Sequence, residues 1–206
     1  MNEKFLELPI EKQHKIINAG MKVFGQNEYK HAITDEIAFQ AGISKGLLFY
    51  YFHNKKSLYL YLYQCCIDIM DQAVLNEDFE EIDDFFDLME FGAQKKLSIV
   101  QEYPYIIDFV MRAFYSQREE VSESISQRTQ ELMENSFASY FSYIDFSRFK
   151  DEIDPQYIYK MLMWMSEGYL FEQQNGGKKI DVDEIMAEFR RWKLMFKPMV
   201  YKEEFL

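Results

Sequence analysis

Glycine and proline are scarce along this chain, and their scarcity limits the possible folds more than any other feature. The 206 residues include 8 glycines and 4 prolines, about 6% together, where an average protein has about 12%. Sandwiches, barrels and propellers need a turn every ~8–12 residues, so the chain has too few turn-forming residues for those folds. Because 48% of the residues are hydrophobic and 17% are aromatic, a sizeable core can form, which excludes a disordered chain.

The spacing of apolar and capping residues predicts an all-α fold with about nine helices. Pro9 suits the first turn of a helix, and Thr34, Ser44 and Asn54 are predicted N-caps. Gly42 can take the left-handed conformation that ends a helix. The predicted helices lie over residues 10–25, 37–41, 45–51, 55–74, 82–101, 104–115, 119–141, 155–174 and 182–200.

Charge is unevenly distributed along the chain. Residues 1–56 contain eight lysines, no arginine and six acidic residues, a net charge of +2, whereas the remaining residues carry −14. This asymmetry indicates that the N-terminal segment contacts a polyanion. A sequence pI of about 4.8 argues against nucleic acid binding over the whole surface.

Residues 33–52, ITDEIAFQAGISKGLLFYYF, have the pattern of two short helices that cross at a tight turn. Ile37 and Ala41 would face the core, and Ala38 is small where the second helix passes. Gly42 would turn the chain. The inner face of the second helix would consist of Ile43, Leu48 and Tyr51. The pattern predicts a helix-turn-helix, although an αα-corner without function is the alternative.

The segment SKGLLFYYFHNKKSL, within residues 33–58, resembles the TetR family of bacterial transcriptional repressors. The specific match covers roughly the first 70 residues. The resemblance implies a three-helix DNA-binding domain over residues 1–56, with the helix-turn-helix at 33–52. It also implies a helical effector-binding and dimerisation domain over residues 57–206, and a homodimer on a palindromic operator in double-stranded DNA.

The resemblance also implies roles for single residues. Thr34 and Lys55 would contact phosphates, and the N-terminus of the second helix would enter the major groove, where Lys45 can donate to guanine. Because that helix has no Arg, Asn or Gln, we expect thymine-methyl contacts and DNA shape to contribute to specificity. Phe49 stands where the family usually has Tyr. The candidate DNA-binding residues are Thr34, Ser44, Lys45, Gly46, Leu47, Phe49, Tyr50, Tyr51 and Lys55.

Residues 57–206 contain 28 of the aromatic residues and ten of the twelve methionines. Core packing accounts for most of them, whereas a pocket for a small apolar effector is the functional interpretation. Glu90, Asp108 and Glu167 could instead select a cationic effector, but Arg112 is placed to pair with Asp108. The candidate ligand-binding residues are Met89, Phe109, Phe114, Phe137, Trp164 and Glu167.

The last two predicted helices are apolar on more than one face. Residues 157–171 and 185–200 have more apolar surface than one surface helix needs, which predicts a four-helix dimer interface. The candidate interface residues are Met163, Trp164, Tyr169, Phe189, Trp192, Met195 and Phe196.

Other functions find little support in the sequence. Every histidine lies in residues 1–56, and no phosphate-binding glycine loop or metal-ligand spacing occurs, so we expect no enzyme, no cofactor and no metal site. Adjacent Cys65 and Cys66 form neither a disulfide framework nor a metal site. No membrane span or signal peptide is visible, which predicts a cytoplasmic protein.

The alternative to an effector-responsive regulator is a DNA-binding protein that acts through a protein partner, without an effector. The acidic segment 77–90 could contact that partner, although a solvated loop and the start of a helix is the simpler interpretation.

Overall fold

The computed structural model describes residues 3–75, 81–116, 119–176 and 181–206. Within these ranges it is all-α, as predicted, with short 3₁₀ turns and one isolated antiparallel bridge between Phe149 and Tyr201. No helix in the described ranges is long and apolar enough to cross a membrane. The helices are α1 (Ile10–Gln26), α2 (Thr34–Ala41), α3 (Lys45–Phe52), α4 (Lys55–Leu75), α5 (Phe85–Ser98), α6 (Ile106–Tyr115), α7 (Ser122–Tyr140), α8 (Pro155–Asn175) and α9 (Val182–Val200).

Capping residues determine where the N-terminal helices begin and end. Gly42 has a φ of 70° and a ψ of 31°, so the left-handed C-cap of α2 is confirmed. The Ser44 hydroxyl accepts a hydrogen bond from the Leu47 N–H at 3.2 Å, and Asn54 Oδ1 accepts one from the Ser57 N–H at 2.8 Å. The prediction of Thr34 as an N-cap is wrong, because Thr34 is already helical and the cap position belongs to Ile33.

The described chain packs as two compact units. The first comprises Met1–Gln72 and Ile99–Gln130. Its core includes the Tyr59 ring, which lies 4.8 Å from the Phe24 centroid and 5.0 Å from the Phe109 centroid. Packing therefore groups α6 and the start of α7 with the N-terminal helices, whereas a boundary after residue 56 stays a prediction about function.

The second unit comprises Ala73–Ser98 and Glu131–Leu206. Its core is a cluster of aromatic rings, in which Phe85 lies 4.8 Å from Phe141 and 5.3 Å from Phe149. The Tyr201 ring also belongs to this cluster, and its centroid lies 4.9 Å from that of Phe149. Aromatic burial of this kind contributes much of the stability of a helical unit.

Residues 81–90 contain a loop followed by the start of a helix, as predicted, but α5 begins at Phe85 and not at Ile82. The segment is not wholly solvated, because acidic residues of α5 form ion pairs with α9. Asp84 is buried and caps α5 by accepting the Phe86 N–H at 2.9 Å, while Lys197 donates to its other oxygen at 2.8 Å. Glu90 accepts hydrogen bonds from Arg190 at 2.7 Å and Lys193 at 2.8 Å. Residues 77–80 lie outside the described residues.

These contacts change the pKa values of both carboxyl groups. Burial would raise the pKa of Asp84, but hydrogen bonds from Lys197 and from backbone N–H groups outweigh burial and hold that pKa below its usual range. The same balance, with Lys193 and Arg190 as donors, lowers the pKa of Glu90. Both acids are engaged in packing α5 against α9, which leaves Glu90 a poor candidate for binding a cationic effector.

Two helical glycines offer a matched test of how tightly α1 packs. A Cβ atom at Gly25 would lie 3.1 Å from the backbone nitrogen of Phe109, whereas a Cβ atom at Gly92 would meet nothing within 4 Å. We expect Gly92→Ala to raise the free energy of unfolding by about 1 kcal/mol through helix propensity. Gly25→Ala should lower it by about 1–2 kcal/mol, because the α6 backbone must move. Urea unfolding measures both values, and an equally stabilised Gly25→Ala variant would contradict close packing of α1 against α6.

Candidate nucleic-acid interface

Helices α2 and α3 form a helix-turn-helix held together by a small apolar inner face. Ile37 and Leu48 are fully buried, and Ala38 is only 2% exposed. Gly42 turns the chain between the two helices with its positive φ. Because the inner face is buried, the relative placement of α2 and α3 is determined by packing rather than by the residues on their outer faces.

The N-terminal turn of α3 is open to solvent. Ser44, Lys45 and Gly46 are exposed, and Leu47 and Tyr50 are 37% and 52% exposed. A helix N-terminus has free N–H groups and the positive end of the helix dipole, which favour an approaching phosphate. This turn therefore combines a cation, apolar surface and helix N–H groups in one place.

Two further candidates of α3 are less accessible. Phe49 is half-buried. Tyr51 is 6% exposed, and its ring centroid lies 5.8 Å from that of Phe5 and 6.4 Å from that of Phe52. The ring of Tyr51 thus belongs to the inner face, as predicted, and a contact between Tyr51 and DNA stays a prediction.

Lys45 forms an ion pair that the sequence reasoning missed. Its Nζ lies 2.7 Å from Oδ1 of Asp35, and both side chains are more than half exposed. An exposed pair of this kind contributes only about 0–1 kcal/mol. Lys45 can therefore exchange Asp35 for a phosphate or a base at little cost. The sequence reasoning did not identify Asp35 as a partner of Lys45, since the crossing of two helices is not visible in their spacing.

Lys55 is held by the loop that precedes α2. Its Nζ donates to the carbonyl oxygen of Lys30 at 3.3 Å and lies 4.8 Å from the centroid of the Tyr29 ring. Burial lowers the pKa of Lys55, and the charges of Glu119 and Glu120 partly oppose that effect. Thr34, at the start of α2, is half-buried.

The sequence reasoning also missed two exposed apolar residues, Phe39 on α2 and Ile33 at the N-cap position of that helix. Phe39 is 85% exposed and Ile33 is 60% exposed. Helical spacing would have identified Phe39, since it lies off the face defined by Ile37, Ala38 and Ala41. Both residues add apolar surface to the helix-turn-helix.

The candidate ligand-binding residues fall into two groups. Phe109 and Phe114 lie in the first unit, and Phe109 is fully buried against Phe24 and Tyr59. The others lie in the second unit, where Met89 and Phe137 pack against the aromatic cluster. Trp164 is 52% exposed.

Glu167, the last of these candidates, is half-buried on α8. Burial raises its pKa to about 7. It forms no hydrogen bond or ion pair with another described side chain. A carboxyl group of this kind is partly protonated near neutral pH.

The candidate dimer residues differ in exposure. Met195 is 63% exposed, and Tyr169, Trp192, Phe196 and Met163 are half-buried, with Tyr169 and Trp192 edge-to-face at 6.1 Å. Phe189 is buried within its own unit, so it does not offer surface to a second copy. Apolar side chains that the sequence reasoning did not select are also exposed on these helices: Tyr157, Leu194 and Met199.

The cysteines lie on α4. Both are free, and burial raises the pKa of the Cys65 thiol to about 11 and that of the Cys66 thiol well above its usual value. Thiols in this state are poor nucleophiles and poor metal ligands.

The fold and the capped, exposed N-terminus of α3 define an all-α helix-turn-helix protein. A family model described as "Bacterial regulatory proteins, tetR family" matches residues 16–62. Over 61 residues the chain is 33% identical to the biofilm operon icaADBC HTH-type negative transcriptional regulator IcaR of Staphylococcus aureus (strain Newman). That match covers 30% of this chain and spans 33% of the length of the relative.

Solved structures match over most of the chain. A TetR family transcriptional regulator from Chloroflexus aurantiacus J-10-fl superposes with a TM-score of 0.64 at 18% identity, covering 98% of this chain and 99% of that one. TylP, a TetR regulator from Streptomyces fradiae, gives a TM-score of 0.65 at 14% identity over 95% of this chain and 89% of its own. Residues 16–62 thus match the TetR family model, and the fold of the described chain is similar to that of these two solved structures.

Proposed function

We propose that this protein is a transcriptional regulator that binds operator DNA through α3. The observation that carries the proposal is the open N-terminal turn of α3, where Ser44, Lys45 and Gly46 are exposed above a buried inner face. The net charge of +2 in residues 1–56, against −14 elsewhere, supports a polyanion as the partner of this segment. We expect it to act on the chromosome, in the cytoplasm.

Reading of the base sequence would combine few hydrogen bonds with apolar contacts. Lys45 can leave Asp35 and donate to guanine O6 or N7. Leu47 and Tyr50 are exposed on the same short helix and can contact thymine methyl groups. Specificity would also depend on the shape of the DNA.

A homodimer formed through α8 and α9 would present two copies of α3 to a palindromic operator. Exposed Tyr157, Trp164, Met195 and Met199 supply the apolar surface for such an interface. The two copies of α3 must then meet major grooves about one helical turn (~34 Å) apart. Any change in their separation would weaken binding.

We further propose that a small, mainly apolar effector binds residues 57–206 and releases the DNA, so that the protein acts as a repressor. Partly buried Met89, Phe137 and Glu167 in the second unit are the candidates that support this proposal best. The name of the S. aureus relative, a negative regulator, agrees with repression. The alternative is a regulator that acts through a protein partner, and a thermal-shift screen with small molecules would distinguish the two.

An enzymatic function has weaker support. His14 accepts or donates a hydrogen bond at 2.9 Å to the Tyr103 hydroxyl and lies 3.2 Å from Glu102, so it connects α1 to the turn before α6. His31 and His53 are exposed. The hydroxyl beside His14 is that of Tyr103, whose pKa burial raises to about 12, which makes it a weak nucleophile, and we therefore propose binding rather than catalysis.

The test of the proposed function is selection of a preferred duplex from a randomised library by the purified protein. Binding should weaken steeply as salt rises, because phosphate contacts release counterions. Lys45→Ala should relax the preference at one base pair by about tenfold, or ~1.4 kcal/mol. Lys12→Ala, an exposed change of the same charge on α1, is the control and should keep the preference. Failure to enrich any duplex would contradict the proposed function.

A further inference from the structure

The loop just before α2 is held by a carboxylate from a distant part of the chain. Glu119, which precedes α7, accepts the backbone N–H of Tyr29 at 3.3 Å through Oε2 and that of Lys30 at 3.2 Å through Oε1. Each oxygen thus binds one of two successive peptide N–H groups. All of these residues belong to the first compact unit.

Glu119 is itself fixed in place by two serines. The Ser116 hydroxyl donates to Oε2 of Glu119. The backbone N–H of Glu119 donates to the Ser122 hydroxyl at 3.1 Å, at the start of α7. A half-buried carboxylate restrained in this way loses little further entropy when it binds the loop.

Lys30 connects Glu119 to the candidate phosphate-binding residue Lys55. The N–H of Lys30 binds Glu119, and the carbonyl oxygen of the same residue accepts the Lys55 ammonium at 3.3 Å. Tyr29, whose backbone N–H also donates to Glu119, places its ring centroid 4.8 Å from that ammonium. An ammonium has three donors, so Lys55 keeps others for a phosphate while it is anchored to Lys30.

We propose that Glu119 is a positioning residue for DNA binding, which holds the loop at Tyr29 and Lys30 so that Lys55 meets a DNA phosphate. The proposal rests on the proposed function. Glu119 does not contact the DNA and acts only through the backbone of Lys30.

A purely electrostatic effect of Glu119 would have the opposite sign. A carboxylate near DNA repels phosphates, so its neutralisation would strengthen binding. Neighbouring Glu120 provides the matched control, because it carries the same charge, whereas the loop N–H groups of Tyr29 and Lys30 donate to Glu119. It contacts the Tyr29 hydroxyl at 3.4 Å and lies 3.7 Å from the Lys56 ammonium.

The experiment compares Glu119→Gln with Glu120→Gln on the duplex selected by the wild-type protein and on poly(dA-dT) duplex at low salt. Glutamine replaces one of the two carboxylate oxygens with an NH₂ donor, which cannot accept the N–H that the lost oxygen bound. We expect Glu119→Gln to weaken binding roughly five- to tenfold on both duplexes. The slope of log K against log salt should become shallower by about 0.9 per subunit, the value for one phosphate contact. Glu120→Gln should bind as tightly as the wild type or more tightly.

A double-mutant cycle with Lys55→Ala tests the route of the effect. If Glu119 acts through Lys55, the double variant should bind no more weakly than Lys55→Ala alone. Ser116→Ala keeps the carboxylate but removes one of its restraints. We expect it to lose less DNA affinity than Glu119→Gln, with the same change in the slope of log K against log salt. This variant also serves if Glu119→Gln does not fold, as judged by its melting temperature.

Equal affinities of the Glu119→Gln and Glu120→Gln variants, or additive losses in the cycle, would overturn the proposal. A failure of the proposed function looks different, because the wild-type protein would then bind neither duplex with a salt-dependent affinity. If Lys55→Ala leaves affinity and salt slope unchanged, the assigned role of Glu119 is also wrong.

Discussion

Replacing Met195 with glutamate is expected to convert the proposed homodimer to a monomer. Met195 is 63% exposed on α9, close in sequence to the equally exposed Met199. Trp164 and Tyr157 expose more than half of their surface on α8. In an apolar interface a carboxylate loses its hydration without gaining a partner, which costs several kcal/mol. Dimer formation should therefore weaken at least a hundredfold.

Light scattering at micromolar concentration measures this outcome. Ile10→Glu is the control, since Ile10 is 61% exposed on α1, in the first compact unit. That variant should stay dimeric. Met163, another candidate interface residue, is half-buried, so a charge there would also disturb its own subunit.

DNA binding gives a second measurement of the same change. Once one subunit of a dimer is bound, the other subunit meets its half-site at a high effective concentration. This raises the affinity for the palindrome by about 10²–10⁴. The Met195→Glu variant should lose this advantage on a palindrome but should bind an isolated half-site as the wild type does. A variant that stays dimeric and binds the palindrome tightly would exclude α9 from the interface.

Replacing Glu167 with glutamine is expected to stabilise the protein at pH 8 and to have little effect at pH 4. Burial raises the pKa of Glu167 to about 7 in the folded state, whereas an unfolded glutamate has a pKa of about 4.3. Between these values the folded state binds more protons, so stability falls as pH rises and the full penalty is reached above pH 7. Glutamine removes this penalty, which is at most ~3.7 kcal/mol, but its own amide is also desolvated, so we expect a gain of about 2 kcal/mol at pH 8.

Urea unfolding at the two pH values, at one protein concentration, measures this gain. Glu172→Gln on the same helix is the control, because Glu172 is exposed. The free energy of unfolding of this control variant should differ from that of the wild type by the same amount at both pH values. If the gain of Glu167→Gln does not grow with pH, the carboxyl group is not desolvated in the folded protein.

The elements of the fold were predictable because their signals are local. Pro9, Gly42, Ser44 and Asn54 act on the backbone within a few residues, and α9 was predicted at the residues where it lies. The inner face of the helix-turn-helix was predictable for the same reason, since Ile37 and Leu48 follow helical periodicity. Thr34 was misassigned because a threonine before two acidic residues fits a cap and a first turn equally well.

Long-range partners could not be read from the same signals. Asp35 pairs with Lys45 across the turn, and Glu119 binds the loop at Lys30, although 89 residues separate them. The acidic residues of α5 resembled a solvated surface because their cations lie 100 or more residues away, on α9.

The amino-acid sequence by itself determined the helices of this protein, the helix-turn-helix and the residues at the open end of α3. These features depend on backbone conformation and on hydrophobic periodicity, which act over one or two turns. Only the tertiary structure decided that Phe109 is core, that Phe189 faces inward, and that Lys55 is anchored to the peptide of Lys30. Burial and ion pairing depend on which helices meet, and helices meet through the summed packing of many side chains.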